Sequence, residues 1–239
     1  YFAAKAAYRS GCGLVKIYTA EENRIVLQTK LPEAILCTYT DNRPDVSGLL
    51  AEVERADVII VGPGLGTDHR ARLIVESIVK NSRVPVVADA DALNVLAKNL
   101  QPLSEAKAEM VITPHMGEMS RLTGKEIPYL KEHIISVAEE FARAYRATCV
   151  LKDARTVTAL SSGKIFLNQT GNDGMATGGS GDVLAGMIGG MIAQGVPPEL
   201  AAPAGVYWHG LSGDAAADRC GRHAMTACDI LENIRDDVK

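Results

Sequence analysis

Apolar residues fall along this chain in two kinds of block. Short continuous runs, such as Val58-Ile59-Ile60-Val61 and Val84-Pro85-Val86-Val87-Ala88, are strand-sized. Unbroken hydrophobicity of that length predicts strands buried on both faces, as in a parallel sheet. Strands are expected over residues 13–19, 34–38, 57–62, 84–88, 109–113, 148–152, 156–160 and 164–167, the last two joined by a hairpin turn at Ser162-Gly163. Longer stretches with helical spacing are expected over residues 1–10, 21–30, 47–55, 68–80, 131–145, 183–195, 200–218 and 225–234, with a loop containing Pro44 over residues 41–45. Strands and helices that alternate in this way predict a three-layer α/β/α fold with a largely parallel central sheet, in a single domain spanning residues 1–239.

One stretch breaks the pattern. Six glycines or asparagines fall in the eleven residues 171–181, directly before a run in which Val183, Leu184, Met187, Ile188, Met191 and Ile192 recur at helical spacing. A glycine-rich loop therefore enters a buried helix. Gly178, Gly179 and Gly181 allow backbone N–H groups to turn toward one point, and the helix N-terminus adds its free donors and positive dipole end. Such a nest attracts phosphate. Asp182, at the entrance, reads either as a helix N-cap or as a general base beside a transferring phosphoryl group. An isolated Ser-Gly-Asp favours the cap; four residues of Gly-Gly-Ser-Gly before it favour the base.

Other polar residues gather where strands end. Gly62-Pro-Gly-Leu-Gly66 follows a strand at the place where α/β proteins receive ligands, but its spacing is not that of a dinucleotide-binding loop. In Asp89-Ala-Asp-Ala-Leu-Asn94, Asp91 is expected to cap the next helix while Asp89 and Asn94 face a pocket. His115 and Glu118 lie within one turn, and a Glu118–Arg121 pair along the helix is the plain alternative to a functional role for Glu118. Lys152 ends a strand, either against solvent or against phosphate.

Composition narrows the class. A net charge of −4 and a pI near 5.8 give no electrostatic reason to expect nucleic acid as a partner, and no apolar run reaches membrane-spanning length. Five cysteines, odd in number and without CxxC spacing, fit reduced thiols in a cytoplasmic protein. The chain opens on Tyr1-Phe-Ala-Ala-Lys-Ala-Ala-Tyr, which reads as the middle of a helix.

Gly178-Gly-Ser-Gly-Asp182 is similar to the anion-hole and aspartate motif of ribokinase-like small-molecule kinases. The longer run from Gly171 through Gly186, ending in Ala193-Gln-Gly195, resembles one branch of that superfamily, the ADP- or ATP-dependent NAD(P)H-hydrate dehydratases. The resemblance implies that Asp182 is the catalytic base and touches the substrate, as do Gly66 and His115. It implies nucleotide contacts from Lys152, Asp153, Ala154, Arg155, Thr156 and Gly181, and an anion hole from Gly178, Gly179, Ser180 and Gly181. In this branch a histidine stands at position 115, where related kinases carry asparagine; Glu118 would influence Mg²⁺ through water. Asp153 stands where the family usually has a small residue. His209-Gly-x-x-Gly213-Asp214 recurs in the family and is read as packing near the nucleotide. The implied reaction is ADP-dependent dehydration of (S)-NADHX or (S)-NADPHX to NAD(P)H, with AMP and phosphate released, by a homo-oligomer such as a tetramer. ADP as donor follows the bacterial branch. The family's first strand and substrate loop are expected upstream of Tyr1. Two alternatives remain: a ribokinase-like kinase of a vitamin-precursor alcohol, of hydroxymethylpyrimidine or hydroxyethylthiazole type, and a nucleotide sensor without catalysis.

Overall fold

Residues 86–88, 110–112 and 147–151 carry no charged side chain, and they form the three innermost parallel strands of the molecule. In the computed structural model, which describes residues 1–40 and 44–235, the main sheet has six strands in sequential order. These are β3 (Ile59–Val61), β4 (Val86–Ala88), β5 (Met110–Ile112), β6 (Ala147–Leu151), β7 (Val157–Ala159) and β8 (Ile165–Leu167). The first four are parallel, and β7 and β8 return as an antiparallel hairpin. A separate parallel pair, β1 (Lys16–Ala20) and β2 (Ile35–Tyr39), lies earlier in the chain. The expected strand at residues 57–62 is shorter and only half-buried, because β3 is an edge strand with a neighbour on one side. Of the loop expected at residues 41–45, the first three residues lie outside the described part.

The two-residue period of the strands divides the core into two layers. Val86, Ala88, Met110, Ile112, Cys149, Leu151, Val157 and Ala159 face one side. They meet α3 (Val46–Val53), α4 (His69–Asn81), α5 (Asp91–Leu96), α6 (Gln101–Ser104), α7 (Met116–Thr123), α8 (Ile127–Glu132) and α9 (Ile134–Tyr145). Val87, Val111 and Val150 face the other side and meet α10 (Ser180–Ala193) and α11 (Pro198–Cys220). The architecture is the expected three-layer α/β/α sandwich. Fully buried side chains such as Leu93, Ile112, Met119 and Ile188 stabilise it by roughly 1.5–3 kcal/mol each. The helix expected over residues 131–145 is two helices, α8 and α9, which meet at His133.

Helix α10 is apolar around most of its circumference, and it is buried on both sides. One side meets the sheet. The other meets α1 (Phe2–Arg9) and α12 (Ala227–Glu232) through Val183 and Met187. Glycines make this possible: a Cβ on Gly186 would overlap the Ala3 carbonyl, and one on Gly190 would stand 2.8 Å from the Ala7 carbonyl oxygen. The helix is thus held rigidly, with its N-terminus at the C-terminal ends of the parallel strands. No helix among the described residues is long and apolar enough to cross a membrane.

Candidate active site

Parallel strands bring their C-terminal ends to one edge of the sheet, and polar residues are concentrated there. Asp89 follows β4, Thr113 follows β5 and Lys152 follows β6. Lys152 Nζ donates to Asp89 Oδ1 at 2.7 Å, and Thr113 Oγ1 donates to the same oxygen at 2.6 Å. Asp89 is 1% exposed, so this pairing is what makes its charge tolerable there. The partner of Asp89 is 63 residues away in the sequence, and the sequence assigned Asp89 only to a pocket wall.

The turn after β4 is strained. Ala90 adopts φ 51°, ψ −120°, a conformation that a residue with a Cβ rarely accepts. It separates Asp89, turned inward, from Asp91, whose Oδ2 accepts the Gly66 N–H at 2.8 Å. Asp91 is therefore not the expected helix cap: it is the first residue of α5, makes no capping bond, and instead fixes the glycine turn after β3. Gly66 has φ +78°, and a Cβ there would meet no protein atom within 4 Å. Its glycine is explained by that left-handed backbone. Asn94 is engaged as well, accepting from Arg121 Nε at 2.7 Å.

Helix α10 begins at Ser180, three residues earlier than the hydrophobic pattern indicates. Gly179, with φ 90°, takes the cap position, and Asp182 lies inside the first turn, so the cap reading of Asp182 is corrected. A side chain on Gly179 would also strike the Phe2 ring, 2.7 Å away. A Cβ on Gly181 would stand 3.1 Å from Lys152 Nζ and 3.8 Å from Asp89 Oδ2, whereas one on Gly178 would meet open space. The helix N-terminus, its glycines and the ammonium of Lys152 thus border one point, an arrangement suited to an anion. Among the described residues, the Asp182 carboxylate has neither a hydrogen bond nor an ion pair. Burial, reinforced by the nearby carboxylates of Asp89 and Asp91, raises its pKa above the ordinary aspartate value. A half-buried, unengaged carboxylate with raised pKa is equipped to accept a proton.

His115 is the N-cap of α7. Its Nδ1 accepts the N–H groups of Gly117 (2.9 Å) and Glu118 (3.3 Å), which leaves the proton on Nε2. Glu118 completes a capping box by accepting the His115 N–H at 2.8 Å, and its other oxygen lies 3.3 Å from His115 Nε2. The expected Glu118–Arg121 pair is not formed among the described contacts, because Arg121 turns to Asn94. Burial pushes the Glu118 carboxyl up to about 7, and burial together with Lys152 and Arg121 lowers the His115 pKa. The His115 ring remains half-exposed, and a bridge to Lys152 ties its strand end to the site.

Asp153, Ala154 and Arg155 project into solvent between β6 and β7, and Arg155 donates to the Gln169 carbonyl at 2.9 Å. Asp153 does not have positive φ, so its side chain disturbs no left-handed turn. An open cavity of about 280 Å³ adjoins the glycine-rich loop at Asp173, Ala176 and Thr177, and Arg222 and His223 also line it. The last two residues stand beyond every motif and carried no sequence signal.

Residues 1–236 match the family model described as NAD(P)H-hydrate dehydratase. The chain is 39% identical over 236 residues to the bifunctional NAD(P)H-hydrate repair enzyme Nnr of Moorella thermoacetica, covering 96% of this chain and 44% of that protein. It is 35% identical over 222 residues to the ADP-dependent (S)-NAD(P)H-hydrate dehydratase of Neisseria meningitidis, covering 92% of this chain and 73% of that one. The ADP/ATP-dependent NAD(P)H-hydrate dehydratase of Bacillus subtilis, co-crystallised with ATP/Mg²⁺, superposes with a TM-score of 0.84 at 31% identity, covering 98% of this chain and 81% of that structure. The chain spans less than half the length of the Moorella relative. The fold is ribokinase-like, and the chain belongs to the NAD(P)H-hydrate dehydratase family.

Proposed function

We propose that this protein dehydrates (S)-NADHX or (S)-NADPHX at the expense of ADP. The observation that carries the proposal is Asp182: a carboxylate without a structural partner, with raised pKa, on the first turn of a glycine-capped helix beside Lys152. Asp182 takes the proton from the hydrate's C6 hydroxyl as that oxygen attacks the terminal phosphorus of ADP. The bond from phosphorus to the bridging oxygen breaks, and AMP leaves. The C6–O bond then breaks with loss of a proton from C5, which restores the dihydronicotinamide and releases phosphate. Lys152 and the amides of Gly178, Gly179 and Gly181 face the charge that spreads over the phosphoryl oxygens, whereas the Ser180 amide, expected in the same anion hole, donates to the Thr177 carbonyl at 3.3 Å.

Among the described residues no three His, Cys, Asp or Glu side chains gather as a metal cage. Mg²⁺ would be carried in on nucleotide phosphates, since magnesium keeps most of its ligands from phosphate and water. Asp182 and Asp89 would hold such an ion, with Glu118 acting through water. Bound there, magnesium would supply neutralising charge. Substrate contact is assigned to Gly66, His115 and Asp182, and nucleotide contact to residues 152–156 with Gly181. His115 separates this reaction from an alcohol kinase only through its half-exposed ring, because asparagine could cap α7 equally well. We further propose a cytoplasmic homo-oligomer. Five unpaired cysteines support the compartment, and the family resemblance supports the assembly.

The test is to incubate the protein with NADPH hydrate, ADP and Mg²⁺ and follow the reduced-nicotinamide absorbance. Its return, faster with ADP than with ATP, is expected. No return, with a phosphoester formed from a pyrimidine alcohol instead, would replace the proposal with the kinase.

A further inference from the structure

Helix α11 lies against the glycine-rich loop along one face, and it grips that loop at successive turns. Thr170 Oγ1 donates to the Tyr207 carbonyl at 2.9 Å. Asp214 accepts the Gly171 N–H with one oxygen and Asn172 Nδ2 with the other, both at 2.9 Å, and Asn172 Nδ2 also reaches the Gly213 carbonyl at 3.0 Å. A Cβ on Gly210 would overlap Thr170, and one on Gly213 would overlap Met175. The helix is a mould for the loop.

His209 is the member of this face that packing alone does not explain. It is 8% exposed, and burial pushes its pKa down to about 4, so it is neutral near pH 7. Its Nε2 lies 3.3 Å from Ser180 Oγ. Ser180, itself 7% exposed, is the first residue of α10 and stands between Gly179 and Gly181. A hydroxyl with a fixed partner cannot rotate freely, and the contact adds a tie to the first turn of α10. Leucine would fill the same space without a partner for Ser180. We propose that His209 is a positioning residue for the reaction assigned above: by holding the Ser180 hydroxyl, it aims the amides of Gly179 and Gly181, on either side of Ser180, at the transferring phosphoryl group. It acts through Ser180 and touches no reacting atom. Displacement of such donors by about 1 Å can cost on the order of 100-fold in rate.

The test compares wild type, His209→Leu, His209→Gln, Ser180→Ala and the His209→Leu/Ser180→Ala double variant, with ADP affinity by calorimetry in Mg²⁺, kcat and KM for the hydrate, and melting curves. His209→Leu is expected to lower kcat about 10- to 100-fold and to weaken ADP binding, while the hydrate KM stays near wild type. His209→Gln, which can return a hydrogen-bonding atom near Nε2, should recover most of both. Ser180→Ala should resemble His209→Leu, and the double variant should lose nothing further, because the two residues act as one unit. Normal ADP affinity and kcat in His209→Leu would overturn the proposal. So would a glutamine variant no better than leucine, or losses that multiply in the double variant. If His209→Leu does not fold, wild-type behaviour of Ser180→Ala overturns it equally. A wild type that binds ADP but leaves the hydrate untouched would refute the assigned reaction, and the pattern of ADP affinities would still decide the role of His209.

Discussion

Two loops border the N-terminus of α10, and they are held in opposite ways. Residues 168–179 are bonded to α11 through Thr170, Gly171 and Asn172, and to themselves through Asn168, and Ser180 at the head of α10 adds a bond to His209. Residues 153–155 are exposed, and among the described contacts Arg155 to Gln169 is their one side-chain tie to the rest of the site. At the root of that second loop, however, Lys152 is tied at both ends: its backbone N–H donates to the Pro114 carbonyl and its ammonium to Asp89. Under the proposed function the difference suits two tasks. Donors that meet developing charge work best when they need no rearrangement, and a segment that closes over an incoming ligand is drawn from the least stable parts of a fold.

The contrast breaks first at Asp182. Asp182→Asn should lower kcat about 10²- to 10⁴-fold, since an amide cannot take the hydroxyl proton. ADP binding should survive, and the melting temperature should hold or rise slightly, because the carboxylate that is removed has no partner and a raised pKa. Turnover at the wild-type rate would return Asp182 to a structural role.

Lys152→Met comes next in size. It removes the ammonium from the anion site and leaves Asp89 buried without its counter-charge, which typically costs about 3–5 kcal/mol of stability. Lys152→Met/Asp89→Asn should regain most of that stability and none of the ADP affinity. If the double variant binds ADP normally, Lys152 serves folding alone.

Glu118→Gln tests the rigid framework beneath both loops. The Glu118 pKa of about 7 lies above the ordinary value of 4.5, so the folded state holds its proton more tightly than the unfolded chain does. That contribution is complete below about pH 4.5 and is lost as pH rises through 7. Glutamine mimics the protonated form. Melts should coincide at pH 4.5, and at pH 8 the variant should be the more stable by on the order of 2 kcal/mol. Equal differences at both pH values would refute the shift. The smallest effect belongs to the open loop: Arg155→Ala removes one exposed hydrogen bond, and stability should change by less than about 1 kcal/mol while ADP affinity falls. Loss of stability without loss of affinity would show this loop to be structural.

The sequence made the sandwich readable because its strands are continuous apolar runs between helical periods. The glycine-rich entrance to α10 was equally plain. What it left open were pairings and boundaries. For Asp182 the sequence favoured a base but kept a helix cap as the alternative, and the left-handed Gly179, which starts the helix three residues before the apolar pattern does, removes that alternative. Asp91 looked like a cap because aspartate favours that place, and the strained Ala90 turns it toward Gly66 instead. Asp89 and Lys152 meet across the sheet, which no local pattern can report. The His209 motif was legible as packing, but its hydrogen bond to Ser180 depends on how α10 and α11 lie together.

The central claim is that the hydrate's own oxygen becomes part of the released phosphate. Hydrate labelled with ¹⁸O at the C6 hydroxyl, turned over with ADP and Mg²⁺, tests it in one measurement by mass analysis of the products. Attack of that oxygen on the terminal phosphorus, with Asp182 as base, predicts the label in inorganic phosphate and none in water. Label recovered in water, with unlabelled phosphate, would contradict the account: ADP would then be cleaved without phosphorylating the hydrate, and Asp182 would not be activating its hydroxyl.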